Sequence, residues 1–120
     1  MSKRFIFLAA LILFAAGLAA EPLFWKNAPP DELAEELVSV MSAEEILGQV
    51  FLVGYETEKP TPQIMAWLKT RNIGGIKIFG WNAENLYTLA GSIASMQKAA
   101  YATPHGIPLF VATDQEGGWV

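Results

Sequence analysis

The sequence predicts an α/β fold built on a parallel sheet. Three short apolar runs have the composition of buried strands, and they cover Gln49–Gly54, Gly75–Gly80 and Pro108–Thr113. Segments of helical periodicity alternate with them, an order typical of right-handed βαβ units with the helices outside the sheet. Because three strands and two crossovers do not close such a sheet, we expect residues 31–120 to be the amino-terminal part of a larger α/β domain.

Composition narrows the class of protein and the partners to expect. Hydrophobic residues make up 52% of the 120 residues and charged residues 17%, so the chain can bury a core and holds one domain at most. The net charge is −4 and no basic patch is present, so nucleic acid is not an expected partner. The sequence has no cysteine and a single histidine, His105, so we expect neither disulfides nor a metal site.

The amino terminus has the pattern of an export signal. Two basic residues precede an uncharged apolar run over 5–20, which is shorter than the roughly 20 residues that span a bilayer and ends in small residues. This predicts a secretory signal peptide over residues 1–20, cleaved after Ala19 or Ala20. The alternative is an uncleaved amino-terminal anchor. Either way we expect a periplasmic or extracellular protein, without membrane contact once the signal is removed.

The segment before the first strand predicts a linker and two helices. Residues 21–30 contain three prolines and show no periodicity, which indicates a linker. Asp31 is the expected N-cap of a first helix, and Ser42–Glu45 has the form of a capping box that starts a second helix ending near Gly48. The apolar face of the first helix is expected to comprise Leu33, Leu37, Val38 and Met41.

Two further helices are predicted between the strands. Tyr55–Pro62 has loop composition, and Gln63–Arg71 is a short amphipathic helix that Asn72 and the Gly74–Gly75 pair should end. Asn82 is the expected cap of the helix before the third strand. The apolar stripe of that helix indicates packing on the sheet rather than a cofactor feature, and it consists of Leu86, Leu89, Ala90, Ile93, Met96 and Ala100.

Two carboxylates follow the third strand, directly before a glycine pair. Chemistry in parallel α/β proteins is concentrated at the carboxyl ends of strands. On a continuing strand, Asp114 and Glu116 would face the same side with their Cα atoms about 6.5 Å apart. Enzymes that hydrolyse glycosides commonly use a pair of carboxyl groups. The alternative is that Gly117–Gly118 bends the chain, so that one carboxylate is a ligand or structural acceptor and the other supports the turn.

Other polar and aromatic residues are weaker candidates. His105 lies in a turn before the third strand, where a solvated side chain is expected. Trp81 follows the second strand, where it either packs against the strand end or stacks on a sugar, and Trp119 has the same ambiguity. The glycine pairs lack the spacing and the Lys-Ser/Thr of a phosphate-binding loop.

Three motifs together resemble the barrels of glycoside hydrolase family 3. Met41–Gly54 resembles the opening of that barrel, Ile73–Asn82 its second strand, and Pro108–Val120 its third strand with the Asp-Gln-Glu-Gly-Gly motif. They occur in the family's order over roughly residues 41–120. The glutamine at position 115 of this motif resembles the β-N-acetylhexosaminidase branch of the family.

The resemblance implies a fold and an activity. The fold would be a (β/α)8 TIM-type barrel, of which this chain holds the first three βα units. The activity would be retaining hydrolysis of a terminal β-linked N-acetylglucosamine from peptidoglycan or chitin fragments, through a covalent glycosyl-enzyme and without a cofactor. Alternatives are a β-glucosidase or β-xylosidase of the same family, or a truncated remnant without catalysis. The sequence does not predict an oligomeric state.

The resemblance also separates the two carboxylates. In that family the aspartate of this motif binds hydroxyls of the terminal sugar, which assigns Asp114 to substrate binding and leaves Glu116 to the turn. The family's nucleophile and acid/base come from later strands and loops, so no catalytic residue is expected in this segment. Alone, the 120-residue segment is expected to be inactive and to fold poorly. Trp119 departs from the family, which commonly has arginine there, and His105 becomes a bystander.

Overall fold

A computed structural model describes residues 21–118, and the predicted signal peptide and Trp119 lie outside this range. The ordered elements are three strands, four α-helices and two 3-10 turns. In chain order they are a 3-10 turn at Leu23–Trp25, α1 at Pro30–Val40, α2 at Ala43–Gln49, β1 at Leu52–Gly54, α3 at Pro62–Thr70, β2 at Gly75–Ile78, a 3-10 turn at Gly80–Asn82, α4 at Leu86–Tyr101 and β3 at Phe110–Thr113. None of the helices in this range is long and apolar enough to cross a membrane.

The three strands form a parallel sheet in the order β1-β2-β3, which confirms the predicted α/β class. The register pairs Val53 with Ile76 and Ile76 with Val111. Side chains alternate across a sheet, so these residues share one face. Helices α3 and α4 pack on that face, where Leu68, Ile76 and Met96 are almost completely buried.

The opposite face of the sheet is open in this part of the chain. Leu52 and Phe110 flank Gly75 on that face, and they are 53% and 76% exposed. The sequence predicted buried strands, and within residues 21–118 this is wrong for Phe110 and Val111 of β3 and for Leu52 of β1, which are exposed. Apolar content alone indicates that a strand can be buried, but burial needs a second layer of structure over the face.

Close backbone contacts fix helix α2 against the turn before β2. A Cβ atom on Gly48 would lie 1.9 Å from the carbonyl oxygen of Arg71, so only glycine fits there. The Gly48 carbonyl in turn accepts a hydrogen bond of 3.0 Å from the backbone N–H of Gly74. Helix α3 ends at Thr70 with Arg71 as its C-cap, and Asn72 follows with a left-handed backbone, φ 47°, as expected of a residue that ends a helix. The Gly74–Gly75 pair, also predicted to end the helix, takes no part, because Gly75 is the first residue of β2.

The helix starts agree with the sequence in part. The capping box of α2 is present, because Ser42 Oγ accepts from the Glu45 backbone N–H and the Glu45 carboxylate accepts from the Ser42 N–H. The predicted Asp31 cap is wrong, because α1 begins one residue earlier at Pro30. Proline suits a first helical position, since its φ is preset and its missing N–H needs no partner. Asp31 instead lies in the first turn, where its charge complements the helix dipole.

The start of α4 differs from the prediction. The cap is Asn85, whose Oδ1 accepts hydrogen bonds from the backbone N–H groups of Tyr87 and Thr88, at 3.0 and 3.1 Å. The predicted cap, Asn82, belongs to the 3-10 turn after β2 and is completely buried. Gln49, predicted to open the first strand, is the last residue of α2.

Candidate functional site

An ion pair stands at the carboxyl edge of the sheet. Asp114 directly follows β3, and Lys77 lies on β2 opposite Ala112. Lys77 Nζ is 2.8 Å from Asp114 Oδ2, and the two side chains are 34% and 50% exposed. An ion pair this exposed adds little to stability. Its consequence is geometric: the ammonium orients a carboxylate that keeps acceptor capacity for further donors.

Two stacked aromatic rings adjoin this pair. The rings of Phe79 and Trp81 are 4.6 Å apart between centroids with 16° between their planes. Lys77 Nζ lies 5.0 Å from the centroid of the Phe79 ring. Trp81 donates its indole N–H to the Tyr55 carbonyl oxygen at 3.0 Å and is still 48% exposed. The Trp81 ring is therefore held in place while about half of the residue faces solvent.

Gly54, the last residue of β1, makes room for the stack. A Cβ atom at this position would lie 2.5 Å from Cε2 of the Phe79 ring. The ring of Phe79 thus lies directly over the end of the neighbouring strand. This contact follows from the parallel register, in which Gly54 pairs with Lys77, two residues before Phe79.

Asn82 ties the loop after β1 to the end of β2. Its amide Nδ2 donates to the carbonyl oxygens of Tyr55 and Thr57 at 3.1 and 2.6 Å. Its Oδ1 accepts from the Phe79 backbone N–H at 2.9 Å. The sequence prediction assigned Asn82 to a helix cap and missed this role. The available signal was an amide side chain placed between a strand end and the next helix start, where backbone groups lack regular partners.

The second carboxylate of the predicted pair does not join the ion pair. β3 ends at Thr113, so Asp114 and Glu116 do not continue a strand and the co-facing argument does not apply. Gly117 and Gly118 have φ values of 75° and 64°, the left-handed backbone of a bend. Glu116 is exposed and forms no ion pair with another residue of the described range.

His105 lies at the other edge of the sheet, before β3, and the prediction of a solvated side chain is wrong. It is 7% exposed, and its Nε2 is 3.2 Å from Glu45 Oε1, an ion-pair distance without the alignment of a hydrogen bond. The same Glu45 oxygen accepts from Asn72 Nδ2 at 2.9 Å. The predicted linker covers this site, because its 3-10 turn donates a backbone N–H from Phe24 to the His105 carbonyl.

The carboxyl of Glu45 is held in its charged form. Hydrogen bonding from the Ser42 backbone is the largest cause of its lowered pKa; burial opposes the shift, and the Ser42 hydroxyl and His105 add to it. Within residues 21–118, no three His, Asp or Glu side chains are grouped so that they could hold a metal ion. The Glu45, Asn72 and His105 side chains thus form a network at the edge of the sheet opposite to Asp114.

A surface groove away from the ion pair is also present. It lies between α3 and α4, is lined in part by Lys59, Met65, Tyr87 and Ser92, and contains no carboxylate. Clefts outside the carboxyl ends of the strands are where parallel α/β proteins bind ligands. We therefore place the candidate site at the Lys77–Asp114 edge.

The fold and this edge define a class: an α/β protein with a charged acceptor, a charged donor and exposed aromatic rings at the carboxyl ends of parallel strands. Such a surface suits a ligand with hydroxyl groups and an apolar face. The family description "Glycosyl hydrolase family 3 N terminal domain" matches residues 32–120. The chain belongs to this family, as its motifs predicted.

Two relatives carry related names. The chain is 27% identical over 96 residues to a protein named beta-hexosaminidase A from Pseudoalteromonas piscicida, a match over 67% of this chain and 16% of the relative. It also resembles a fungal multi-domain family 3 β-N-acetylglucosaminidase with a glucosamine N-acetyltransferase region. That structure matches with a TM-score of 0.61 and 32% identity, over 66% of this chain and 9% of the fungal chain. The chain thus spans a small part of the length of both relatives.

Proposed function

We propose that this protein is a retaining β-N-acetylglucosaminidase acting on sugars of the peptidoglycan or chitin type. Membership of glycosyl hydrolase family 3 supports the reaction class, and the names of the two relatives support the N-acetylglucosamine branch. The observation that carries the proposal is the carboxylate of Asp114, held by Lys77 at the carboxyl edge of the sheet. We also propose export of the protein by a signal peptide at residues 1–20.

The fold proposed for the whole protein is a (β/α)8 barrel. Helices cover one face of the sheet, whereas Leu52 and Phe110 project from the other. In such a barrel the helices form the outer ring and layers of inward-pointing side chains fill the interior. The open face would become the barrel interior. Asp114 would then lie at the carboxyl-terminal rim, where enzymes with this barrel architecture have their active sites.

Asp114 is proposed to bind hydroxyls of the terminal sugar. A carboxylate accepts only, and each sugar hydroxyl can donate to it, so the charged hydrogen bonds are stronger than neutral ones. Lys77 occupies Oδ2 and fixes the orientation of the group. A retaining glycosidase also needs a nucleophile and an acid/base group flanking the scissile bond. We assign these roles to parts of the protein outside residues 21–118, so that Asp114 positions the sugar and does not react with it.

The test is hydrolysis by the full-length protein of nitrophenyl N-acetyl-β-glucosaminide and nitrophenyl β-glucoside. We expect the N-acetylglucosaminide to be preferred, and Asp114→Asn to lower its kcat/KM by about 10- to 100-fold, the size of a lost charged hydrogen bond. Glu116→Gln is the matched control, because it removes the neighbouring exposed carboxylate, and it should change kcat/KM less than twofold.

Three other results would redirect the proposal. Preference for the glucoside would assign the protein to a β-glucosidase. Hydrolysis of neither substrate by the wild-type protein would contradict the enzymatic function and favour a remnant without catalysis. An Asp114→Asn variant with unchanged kcat/KM would remove Asp114 from the site.

A further inference from the structure

The Phe79–Trp81 stack is not used by the proposed role of Asp114. Half-exposed tryptophan is costly to leave open, because its ring is large and apolar, yet 48% of Trp81 faces solvent. The Trp81 ring is fixed in orientation, because its indole N–H donates a hydrogen bond to the Tyr55 carbonyl and one of its faces stacks on Phe79. One face of the indole is thus packed on Phe79, and about half of the residue remains accessible.

The stack is continuous with the ion pair. Asp114 contacts Lys77, whose Nζ is 5.0 Å from the Phe79 ring centroid, and the Phe79 and Trp81 centroids are 4.6 Å apart. These two steps place the Trp81 ring within about 10 Å of the ammonium group. Asp114 and the Trp81 ring are therefore close enough for one oligosaccharide to contact both.

We propose that the Phe79–Trp81 stack is a platform for the second sugar of the substrate, next to the terminal sugar held by Asp114. A β-linked N-acetylglucosamine ring carries its substituents equatorially, so that its C–H groups form an apolar face that covers an indole ring. Binding sites of this kind combine an aromatic surface with a few placed polar groups, which here are Lys77 and Asp114. This inference rests on the proposed glycosidase function and adds the residues that would bind the second ring of the substrate.

The experiment compares two substrates that share the terminal sugar. Methyl N-acetyl-β-glucosaminide has nothing in the second position that could reach the platform, whereas N,N′-diacetylchitobiose has a second ring there. The measured quantity is the ratio of kcat/KM for chitobiose to kcat/KM for the methyl glycoside, in the full-length protein. Nitrophenyl glycosides are unsuitable because their aromatic ring would itself stack on Trp81.

Trp81→Ala should lower that ratio about five- to tenfold, the scale of one well-placed aromatic contact. Trp81→Phe should keep it within about threefold, because a flat ring remains. Trp81→Phe also leaves the fold intact, since the Tyr55 carbonyl still accepts from Asn82 at 3.1 Å. Trp67→Ala is the matched control: this tryptophan on α3 is 38% exposed but is not part of the edge, and the ratio should not change.

Each outcome decides between two explanations. A ratio unchanged in Trp81→Ala, or a loss shared equally by both substrates, means that Trp81 only packs, and it overturns the platform while leaving the glycosidase proposal standing. A wild-type protein that cleaves neither substrate overturns the proposed function and the platform with it. A fall of the ratio in Trp81→Ala but not in Trp81→Phe supports the platform, because only the first variant removes the flat ring. Thermal unfolding of both variants checks that each is folded.

Discussion

The amide of Asn82 should be the most costly single side chain to remove at the candidate site. Replacing it with alanine deletes two donated bonds, to Tyr55 and Thr57, and one accepted bond from the Phe79 backbone N–H. The Tyr55 carbonyl keeps a partner in the Trp81 indole. Two backbone groups therefore lose a partner, in addition to the small cavity left by the amide.

The magnitude follows from these groups. A buried polar group without a partner costs about 1–3 kcal/mol, and the Thr57 carbonyl can partly recover through solvent because Thr57 is exposed. We therefore expect Asn82→Ala to lower the free energy of unfolding by about 2–4 kcal/mol. Urea-induced unfolding of the full-length protein, followed by tryptophan fluorescence, measures this value. Trp81→Phe is the control. It deletes one of the two hydrogen bonds that the Tyr55 carbonyl accepts, and it should lower the free energy of unfolding by less than about 1 kcal/mol.

Asn82→Asp separates the donated bonds from the accepted one. The aspartate keeps an acceptor for the Phe79 N–H but turns a carboxylate oxygen toward two carbonyl oxygens. Burial and this repulsion should raise the pKa of the new carboxyl in the folded state, so the variant should be least stable at neutral pH and recover as the pH falls and the group protonates. A loss below 1 kcal/mol in Asn82→Ala, or a pH-independent Asn82→Asp, would refute the network.

Three further predictions concern the rest of the fold. Gly48→Ala should destabilise the protein by more than about 2 kcal/mol in urea unfolding, because its methyl would meet a backbone carbonyl at 1.9 Å that cannot move aside; wild-type stability would disprove this contact. Glu45→Gln should remove part of the acid sensitivity: the folded-state pKa of Glu45 lies below its usual 4.5, so the carboxylate stabilises above that pH and the contribution is lost as the pH falls through the lowered pKa. Identical acid-unfolding curves for Glu45→Gln and wild type would contradict it. Gly54→Ala should displace the Phe79 ring and lower the chitobiose-to-methyl ratio severalfold without loss of folding, and an unchanged ratio would show that the ring position does not matter.

Element order and helix positions could be predicted from the sequence because they depend on local patterns. The apolar runs and the capping box of Ser42 each act over a few residues, and the structure confirms them with boundaries shifted by one to three positions. The predicted amphipathic helix α3 shows the limit of periodicity: Ile64 and Leu68 on its apolar face are buried, but the neighbouring Trp67 is 38% exposed.

The contacts that define the two edges of the sheet could not be predicted in this way. His105 is buried because residues 21–25 fold back over it, a contact between segments about eighty positions apart in the chain. The partnership of Lys77 with Asp114 depends on the register between β2 and β3, which no local pattern specifies. The sequence did hold a hint, since a lysine between two isoleucines in a strand otherwise buried must find a partner or reach solvent.

The register explains why a charged group stands on this face of the sheet. Lys77 pairs with Gly54 on one side and Ala112 on the other, so the two residues beside it are the smallest available. Two residues earlier on the same face of β2, Gly75 lies between Leu52 and Phe110, whose large apolar side chains occupy the face. Small neighbours give the lysine stem room to run along the sheet to Asp114 and let the Phe79 ring lie over Gly54. The face therefore changes from exposed apolar side chains to a polar and aromatic edge within two residues, and this change, rather than Asp114 alone, is what positions the candidate site.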